Sequence, residues 1–245
     1  MNGDDRATPP SPRLEERFFD DRDGMAASLA RAVANDLRDA LQQQDTASLA
    51  VPGGTTPRAF LRALGQEELD WPRVRVTLTD ERWVPADHPD SNERLVREEL
   101  FAGGAGGAGG ASWIGLYTGD AEPRAALSAC ERRIVPLLPF DVVVLGMGED
   151  GHVASLFPGQ PDLAESLDPA GERTCGVARA PGTGAVRLSL LAPALLSARR
   201  SYLLIAGKRK LAVYRRALDD AQSLELPVAA VLHGSAAPVR VYWAP

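Results

Sequence analysis

Residues 142–158 have the sequence VVVLGMGEDGHVASLFP, in which four consecutive apolar residues precede a glycine-rich polar segment. The apolar run predicts a buried parallel strand. The glycines favour a tight, exposed loop after it, and this loop carries Asp150 and His152. Because ligands of open α/β sheets bind at the carboxyl ends of the strands, we predict that both side chains serve a functional site. The alternative is an ordinary polar loop whose histidine caps the following segment.

A second predicted strand end carries glycines and hydroxyl groups. The apolar run at residues 49–51 is followed after one proline by Gly53, Gly54, Thr55 and Thr56. Thr56 is the predicted N-cap of a helix over residues 57–64. Free N–H groups at a helix N-terminus favour anion binding, and glycines let the anion approach closely. The P-loop pattern and its lysine are absent. The alternative is an ordinary strand-to-helix turn.

A third predicted strand end is charged. Residues 74–79, VRVTLT, alternate as a half-buried strand does, and Asp80, Glu81 and Arg82 follow directly. The planar guanidinium of Arg82 suits a phosphate group, and the carboxylate of Asp80 suits a sugar hydroxyl. The alternative is a solvated strand edge.

The net charge of the chain is −6, which argues against a nucleic-acid partner because such a surface must be basic. An anionic small molecule would need a local cluster of cations. Further candidates for that cluster are Arg187, which opens a predicted strand, and Lys208, Arg209 and Lys210, which follow another. The alternative for each is a solvated surface position.

Strands and helices alternate along the chain. The predicted helices cover residues 25–44, 57–64, 123–138, 208–218 and 224–232. The later predicted strands cover residues 141–145, 186–190, 202–206 and 239–243. This alternation predicts an α/β fold with a mostly parallel sheet and helices on both faces. We expect one domain over residues 14–245 and a polar, proline-rich, disordered tail over residues 1–13.

Residues 102–111, AGGAGGAGGA, form a low-complexity tract without a charge or a hydroxyl group. We expect a flexible surface connector rather than a phosphate cradle, with a mobile lid as the alternative. No run reaches the roughly 18 apolar residues of a membrane span, and no secretory signal is recognisable. We therefore expect a cytoplasmic protein without a membrane partner, in which Cys130 and Cys175 are reduced and buried.

Five segments carry a family resemblance. They are GGTTP at residues 53–57, LTDERWVP at 78–85 with Ser91 and Asn92 following, GMGEDGHVASLFP at 146–158, RLSL at 187–190, and GKRK at 207–210. In order and spacing they resemble the 6-phosphogluconolactonase family over residues 14–243. The resemblance implies a three-layer, Rossmann-like α/β fold shared with glucosamine-6-phosphate deaminase and ribose-5-phosphate isomerase. Pro52 and Val153 depart from the pattern, since serine and threonine are frequent there.

The resemblance also implies an activity, the hydrolysis of 6-phosphogluconolactone in the pentose phosphate pathway. His152 is the implied general base, and an imidazole with an ordinary pKa of about 6.5 can take a proton from water at neutral pH. Asp150 either orients the imidazole or holds a ring hydroxyl. Glycine-loop N–H groups or a nearby cation would stabilise the oxyanion. No metal or cofactor is expected, the substrate is a small sugar-phosphate lactone, and we expect a monomer.

The substrate-binding residues implied by the resemblance fall into three groups. The 6-phosphate would be bound by Gly54, Thr55, Thr56, Arg82, Arg187 and Lys210. The sugar would be bound or positioned by Asp80 and Asn92, and the backbone of Gly53, Gly148 and Gly151 would border the substrate.

Two alternative functions remain open. A glucosamine-6-phosphate deaminase or sugar-phosphate isomerase has the same fold, and fold does not fix function. A deaminase typically continues its histidine loop with a carboxylate-bearing Asn-Glu-Pro segment, whereas Leu156-Phe157-Pro158 supplies no carboxylate. A non-catalytic sugar-phosphate sensor would need a DNA-binding module, and we expect none in the first 13 residues.

Overall fold

The apolar run at residues 142–145 forms the central strand of a seven-stranded sheet in the computed structural model, which describes residues 14–102, 107–221 and 223–245. The strands of this sheet are β1 (Leu14–Phe18), β2 (Ala47–Val51), β3 (Val74–Leu78), β5 (Ser112–Ile114), β6 (Val142–Gly146), β9 (Ser201–Ala206) and β10 (Val239–Ala244). They follow the order β1-β10-β9-β6-β2-β3-β5, and every neighbouring pair is parallel. The predicted fold class is confirmed. The predicted tail, residues 1–13, lies outside the described residues.

Eight helices accompany the sheet in the described residues: α1 (Arg22–Gln43), α2 (Arg58–Leu64), α3 (Asn92–Glu99), α4 (Pro123–Ile134), α5 (Leu163–Ser166), α6 (Ala192–Leu196), α7 (Lys208–Leu218) and α8 (Val228–Gly234). α1 is the long amphipathic helix that the sequence predicts. Its Leu29, Val33 and Leu37 are fully buried, and the helix contacts β2, β6 and β10. No helix in the described ranges is long and apolar enough to cross a membrane.

A second, smaller sheet stands beside the first. It is antiparallel in the order β4-β8-β7, with β4 at Asp80–Arg82, β7 at Cys175–Arg179 and β8 at Val186–Leu190. The strand predicted at residues 186–190 is therefore present but belongs to this sheet, and β7 was not predicted. The register sets Arg82 directly opposite Arg187. The small sheet thus carries two cations of the predicted site.

Three local predictions need correction. Thr56 does not cap α2, because Pro57 occupies the N-cap and no side-chain cap bond forms. The helix predicted over residues 123–138 ends at Ile134, and a 3₁₀ turn containing Pro136 follows, since proline cannot donate the next helical hydrogen bond. The helix predicted from residue 224 begins only at Val228, after Pro227, because proline disfavours helical backbone in the residue before it.

Within the glycine tract, residues 103–106 lie outside the described ranges. Ala108–Gly110 forms a 3₁₀ turn, and Ala108 is fully buried. This turn contacts the 3₁₀ turn Trp71–Arg73, which leads into the amino end of β3. The described part therefore lies at the edge of the sheet opposite the strand-end loops, a position that favours a connector over a lid.

Both cysteines lie in the interior, as predicted. Cys130 and Cys175 are fully buried. Burial raises the pKa of the Cys130 thiol to about 11 and that of Cys175 to about 12, so neither forms a thiolate readily at neutral pH.

Candidate active site

A cavity of about 250 Å³ opens at the carboxyl ends of β2, β3, β6 and β9. Thirteen polar or glycine residues line it together with several apolar ones. They are Gly53, Gly54, Thr55, Thr56, Thr79, Asp80, Arg82, Asn92, Gly146, Gly148, His152, Arg187 and Lys210. The parallel topology brings these strand-end loops together, although they are far apart in the sequence.

A larger cleft lies at the opposite end of the strands, next to the amino end of β3. It measures about 720 Å³ and includes Arg38, Trp71 and Arg73. None of its described lining residues is a histidine, and Arg38 and Arg73 are paired with Glu67 and Asp70. Volume alone would favour this cleft, but the smaller cavity is the one that combines an imidazole with convergent cations.

The imidazole of His152 is held by Asp150. The distance from His152 Nδ1 to Asp150 Oδ1 is 2.6 Å, and the same oxygen accepts the N–H of His152 at 3.2 Å. A hydrogen bond from Nδ1 fixes the neutral ring with its lone pair on Nε2. In the described part of the chain Nε2 has no hydrogen-bond partner. Of the two roles expected for Asp150, this contact supports orientation of the imidazole.

The electrostatics of the pair favour an ionised Asp150. Partial burial acts to raise the pKa of Asp150, but the hydrogen bond and charge of His152 outweigh it, and the pKa lies below its ordinary value. The stability that follows from a lowered carboxyl pKa is present above the pKa of the unfolded chain. It is lost as the pH falls through the pKa of the folded protein. Around neutral pH the carboxylate therefore remains available to hold the ring.

Gly148 makes this arrangement possible. A Cβ atom at residue 148 would lie 2.2 Å from His152 Nδ1 and 2.4 Å from Asp150 Oδ1, far inside van der Waals contact. Within the loop, Gly148 N–H donates to the carbonyl of His152 at 2.9 Å, and Gly151 N–H donates to the carbonyl of Gly148 at 3.2 Å. These two N–H groups are therefore engaged inside the loop.

Two arginines meet on one side of the cavity. Arg82 on β4 and Arg187 on β8 are directly opposite each other in the antiparallel pair, and both line the cavity. Like charges in this position repel each other and destabilise the sheet. An anion between them would relieve the repulsion, and a phosphate group matches the geometry of two guanidinium groups.

Buried polar side chains fix Arg187. Its Nη1 donates to Asp80 Oδ2 at 3.2 Å, and Ser155 Oγ donates to the same oxygen at 2.6 Å. Asp80 is only 5% exposed. The guanidinium also lies over the ring of Phe157, with 5.7 Å from Cζ to the ring centroid. The same ring lies 4.7 Å from the imidazole of His152, so Phe157 contacts both the imidazole and the guanidinium.

Arg82 is held from the other side. Its Nη1 donates to the carbonyl of Asp90 at 3.0 Å and to Asn92 Oδ1. Asn92 Nδ2 in turn donates to the carbonyl of Asp80 at 2.8 Å. A Cβ atom at Gly53 would lie 1.9 Å from Asn92 Oδ1, so only glycine allows the β2 loop to approach this close.

The loop after β2 offers unpaired donors. In the described part of the chain, the N–H groups of Gly53, Gly54 and Thr55 donate to no protein acceptor. Gly54 has a φ of +93°, which favours glycine. α2 has only seven residues, so an anion bound here would be held by these loop N–H groups and not by a long helix dipole.

Lys210 is half-buried, whereas Lys208 and Arg209 are exposed. Burial lowers the pKa of Lys210 and Arg22 acts in the same direction, while Glu149 and Asp150 oppose the shift. Among the described residues no carboxylate forms a direct ion pair with Lys210. An anion in the cavity would therefore stabilise its charged form.

Comparison with known proteins identifies the family. The family model of glucosamine-6-phosphate isomerases and 6-phosphogluconolactonase matches residues 20–243. This chain belongs to that family. The 6-phosphogluconolactonase of Pseudomonas aeruginosa is 45% identical over 221 residues, which cover 90% of each chain. That of Rhizobium meliloti is 42% identical over 229 residues, 93% of this chain and 97% of the relative.

A solved structure agrees with these relatives. A 6-phosphogluconolactonase from Shewanella baltica superposes with a TM-score of 0.86 at 36% identity, covering 95% of this chain and 98% of that one. The resemblance to the 6-phosphogluconolactonases that the sequence motifs indicate is therefore confirmed, and the chain is an enzyme of the glucosamine-6-phosphate isomerase and 6-phosphogluconolactonase family.

Two predicted site residues of this family member do not line the cavity. Asp150 lies outside the lining of the cavity and contributes by orienting the imidazole of His152. Gly151 has a φ of +82°, and a Cβ atom there would lie 2.8 Å from Leu226 Cδ2, so this glycine serves the turn and its packing. Sequence reasoning missed Ser155, Phe157 and the structural role of Glu81. Ser155 and Phe157 stand inside the quoted motif, but only the fold shows their contacts with Asp80 and Arg187.

Proposed function

We propose that this chain hydrolyses 6-phosphogluconolactone, the substrate class for which its relatives are named, with His152 as the general base. One observation carries the proposal. An imidazole oriented by a carboxylate and a pair of opposed guanidinium groups line the same cavity of about 250 Å³. A sugar lactone with a remote phosphate needs both elements, a base at the carbonyl and an anion site at the other end.

The base would act through Nε2. It takes a proton from water as the water oxygen attacks the C1 carbonyl, which gives a tetrahedral oxyanion. The oxyanion then collapses, the bond from C1 to the ring oxygen breaks, and the ring oxygen receives the proton from the imidazolium. The products are the open-chain acid and the neutral histidine. Asp150 keeps Nδ1 protonated and stabilises the imidazolium between these steps.

The oxyanion would be stabilised by a cation. The N–H groups of Gly148 and Gly151 are used inside the loop, which favours Lys210 over those amides, or Arg187 if it contacts both the phosphate and the oxyanion. The remaining donors suit the phosphate. Arg82 and the unpaired N–H groups of the loop at residues 53–55 line one side of the cavity, where a dianion would offset the local positive charge.

An activity comparison tests the proposal. Purified protein is assayed for hydrolysis of 6-phosphogluconolactone beside release of ammonia from glucosamine 6-phosphate. We expect saturable lactone hydrolysis well above the spontaneous rate and no ammonia release. Ammonia release without lactone hydrolysis would instead make the chain a deaminase of the same fold.

Replacement of Asp150 by asparagine is expected to lower kcat by about 10- to 10³-fold with little change in KM, because the neutral amide no longer selects the Nδ1–H tautomer. Steady-state kinetics with the phosphorylated lactone measure the effect. The matched control is Glu149→Gln, since Glu149 is the adjacent carboxylate and its one ion pair among the described residues is with exposed Arg209. An Asp150→Asn enzyme with the kcat of the control would contradict the orienting role.

A further inference from the structure

We propose that Glu81 is a positioning residue for phosphate recognition, because its buried carboxylate fixes Arg82 and Asn92 relative to each other. The inference deepens the proposed function and rests on it for the identity of the phosphorylated substrate. Glu81 does not line the cavity. It acts from outside the cavity, by accepting hydrogen bonds from the backbone N–H groups of Arg82 and Asn92, which both line the cavity.

The carboxylate of Glu81 has four donors. Its Oε1 accepts the N–H groups of Arg82 and Asn92, each at 2.7 Å. Its Oε2 accepts the N–H of Glu93 at 2.7 Å and the hydroxyl of Ser91 at 3.0 Å. Glu81 is only 1% exposed, and within the described residues no basic side chain pairs with it. The charge is therefore balanced by hydrogen bonds from two segments, the strand β4 and the first turn of α3.

These bonds close a ring through the site. Glu81 joins β4 to the N-terminus of α3, the guanidinium of Arg82 donates to Asn92, and Asn92 donates back to the carbonyl of Asp80. The β2 loop rests on the same point, because Gly53 packs against the amide of Asn92. A displacement of α3 by a few tenths of an ångström would therefore move both the cation and the loop donors of the anion site.

A carboxylate is required at this position because all four partners donate. An ionised carboxylate only accepts hydrogen bonds, whereas a glutamine side chain presents an NH₂ group on one side. In Glu81→Gln that group would face the N–H of Glu93 and lose the bond. The negative charge also suits the N-terminus of α3. Burial raises the pKa of Glu81 above its ordinary value, although the four hydrogen bonds act in the opposite direction.

The experiment compares Glu81→Gln and Glu81→Asp with wild type and with Glu99→Gln. Glu99 is the matched control because it is also a buried carboxylate, but it lies at the C-terminal end of α3 and pairs with Arg58 and Arg62. Three quantities are measured for each protein. They are the Kd of inorganic phosphate by calorimetry, KM and kcat for 6-phosphogluconolactone, and kcat/KM for unphosphorylated glucono-1,5-lactone.

We expect Glu81→Gln to weaken phosphate binding and raise KM by about 10- to 100-fold, with kcat/KM for the unphosphorylated lactone within about threefold of wild type. Glu81→Asp keeps the charge, so its phosphate Kd and its KM should lie between those of wild type and Glu81→Gln. Glu99→Gln should bind phosphate as wild type does. If Glu81→Gln does not fold, the phosphate affinity of Glu81→Asp decides, and a wild-type value there overturns the proposal.

Two other results would overturn it. One is a wild-type phosphate affinity in folded Glu81→Gln. The other is an equal loss on both lactones in the Glu81 variants, which would make Glu81 a purely structural residue. The phosphate measurement does not depend on turnover. Wild-type protein that binds phosphate but hydrolyses no lactone would therefore refute the proposed function while the role of Glu81 is still decided.

Discussion

Replacement of His152 by asparagine is expected to lower kcat for 6-phosphogluconolactone by about 10²- to 10⁴-fold, the usual contribution of a general base. Asparagine is the sharpest choice because its Nδ2 can donate to Asp150 as Nδ1 of the imidazole does, while nothing replaces the lone pair on Nε2. The side chain of His152 is 29% exposed, so its shortening should leave the fold intact. Steady-state kinetics and a thermal unfolding curve measure the two effects.

The control for this variant is His233→Gln. His233 lies at the end of α8, away from the cavity, where Nε2 lies 3.2 Å from the carbonyl of Ala217. A glutamine can make the same contact, so kcat should remain near that of wild type. His152→Asn with near wild-type turnover would remove the imidazole from the mechanism, and another polar residue of the cavity would then have to act as the catalytic group.

The sequence predicts the positions of the site residues better than their partners. His152, Arg82 and the glycines at 53–54 follow apolar or alternating runs, and a parallel sheet brings the residues that follow its strands to one edge. This step needs only the strands and the topology of the fold. The oriented pair of Asp150 and His152 is also predictable, because the two residues belong to one short loop.

The second sheet was not predictable from local pattern. β8 has the same alternation of apolar and polar residues as a strand of the main sheet, and nothing in residues 186–190 specifies an antiparallel partner. That partner depends on where the chain leaves the main sheet after Thr79. The direct opposition of Arg82 and Arg187 depends on this register, and so does the pairing of Arg187 with Asp80. These contacts join residues far apart in the chain.

Glu81 shows the same limit more clearly. In the sequence it is one of three charges at a strand end, and a solvated edge explains such a cluster well. In the structure it is the most buried of the three, and its carboxylate accepts the first two N–H groups of the helix that begins at Asn92. Thr56 is the opposite case, since its type and position suit an N-cap but Pro57 takes that place. Capping is settled by the path of the loop and not by residue type alone.

Truncation of Arg82 or Arg187 to alanine is expected to cost about 1.5–3 kcal/mol of substrate binding each, the scale for hydrogen bonds to charged groups. The loss should appear in kcat/KM for the phosphorylated lactone. Lys210→Ala should act in the same direction, because Lys210 is half-buried without a direct ion pair in the described chain. Arg209→Ala is the matched control, since the side chain of Arg209 is 85% exposed and its one ion pair in the described ranges is with Glu149.

The two arginines should differ in their effect on stability. Arg187→Ala leaves the buried carboxylate of Asp80 without its cation, and an unpaired buried charge is strongly destabilising. Arg82→Ala leaves no such charge, because the partners of Arg82 are a carbonyl and an amide oxygen. Thermal unfolding should therefore show a lower Tm for Arg187→Ala than for Arg82→Ala. The further change Asp80→Asn should restore part of the Tm of Arg187→Ala without restoring kcat/KM.

Unphosphorylated glucono-1,5-lactone separates phosphate recognition from catalysis. If both arginines bind only the phosphate, their alanine variants should hydrolyse this lactone as well as wild type does. If Arg187 also stabilises the oxyanion, Arg187→Ala should lose activity on both lactones, while Arg82→Ala loses it only on the phosphorylated one. An equal loss on both lactones in both variants would show that neither arginine recognises phosphate. An anion other than the substrate phosphate would then have to offset the repulsion between Arg82 and Arg187, which lie opposite each other in the small sheet.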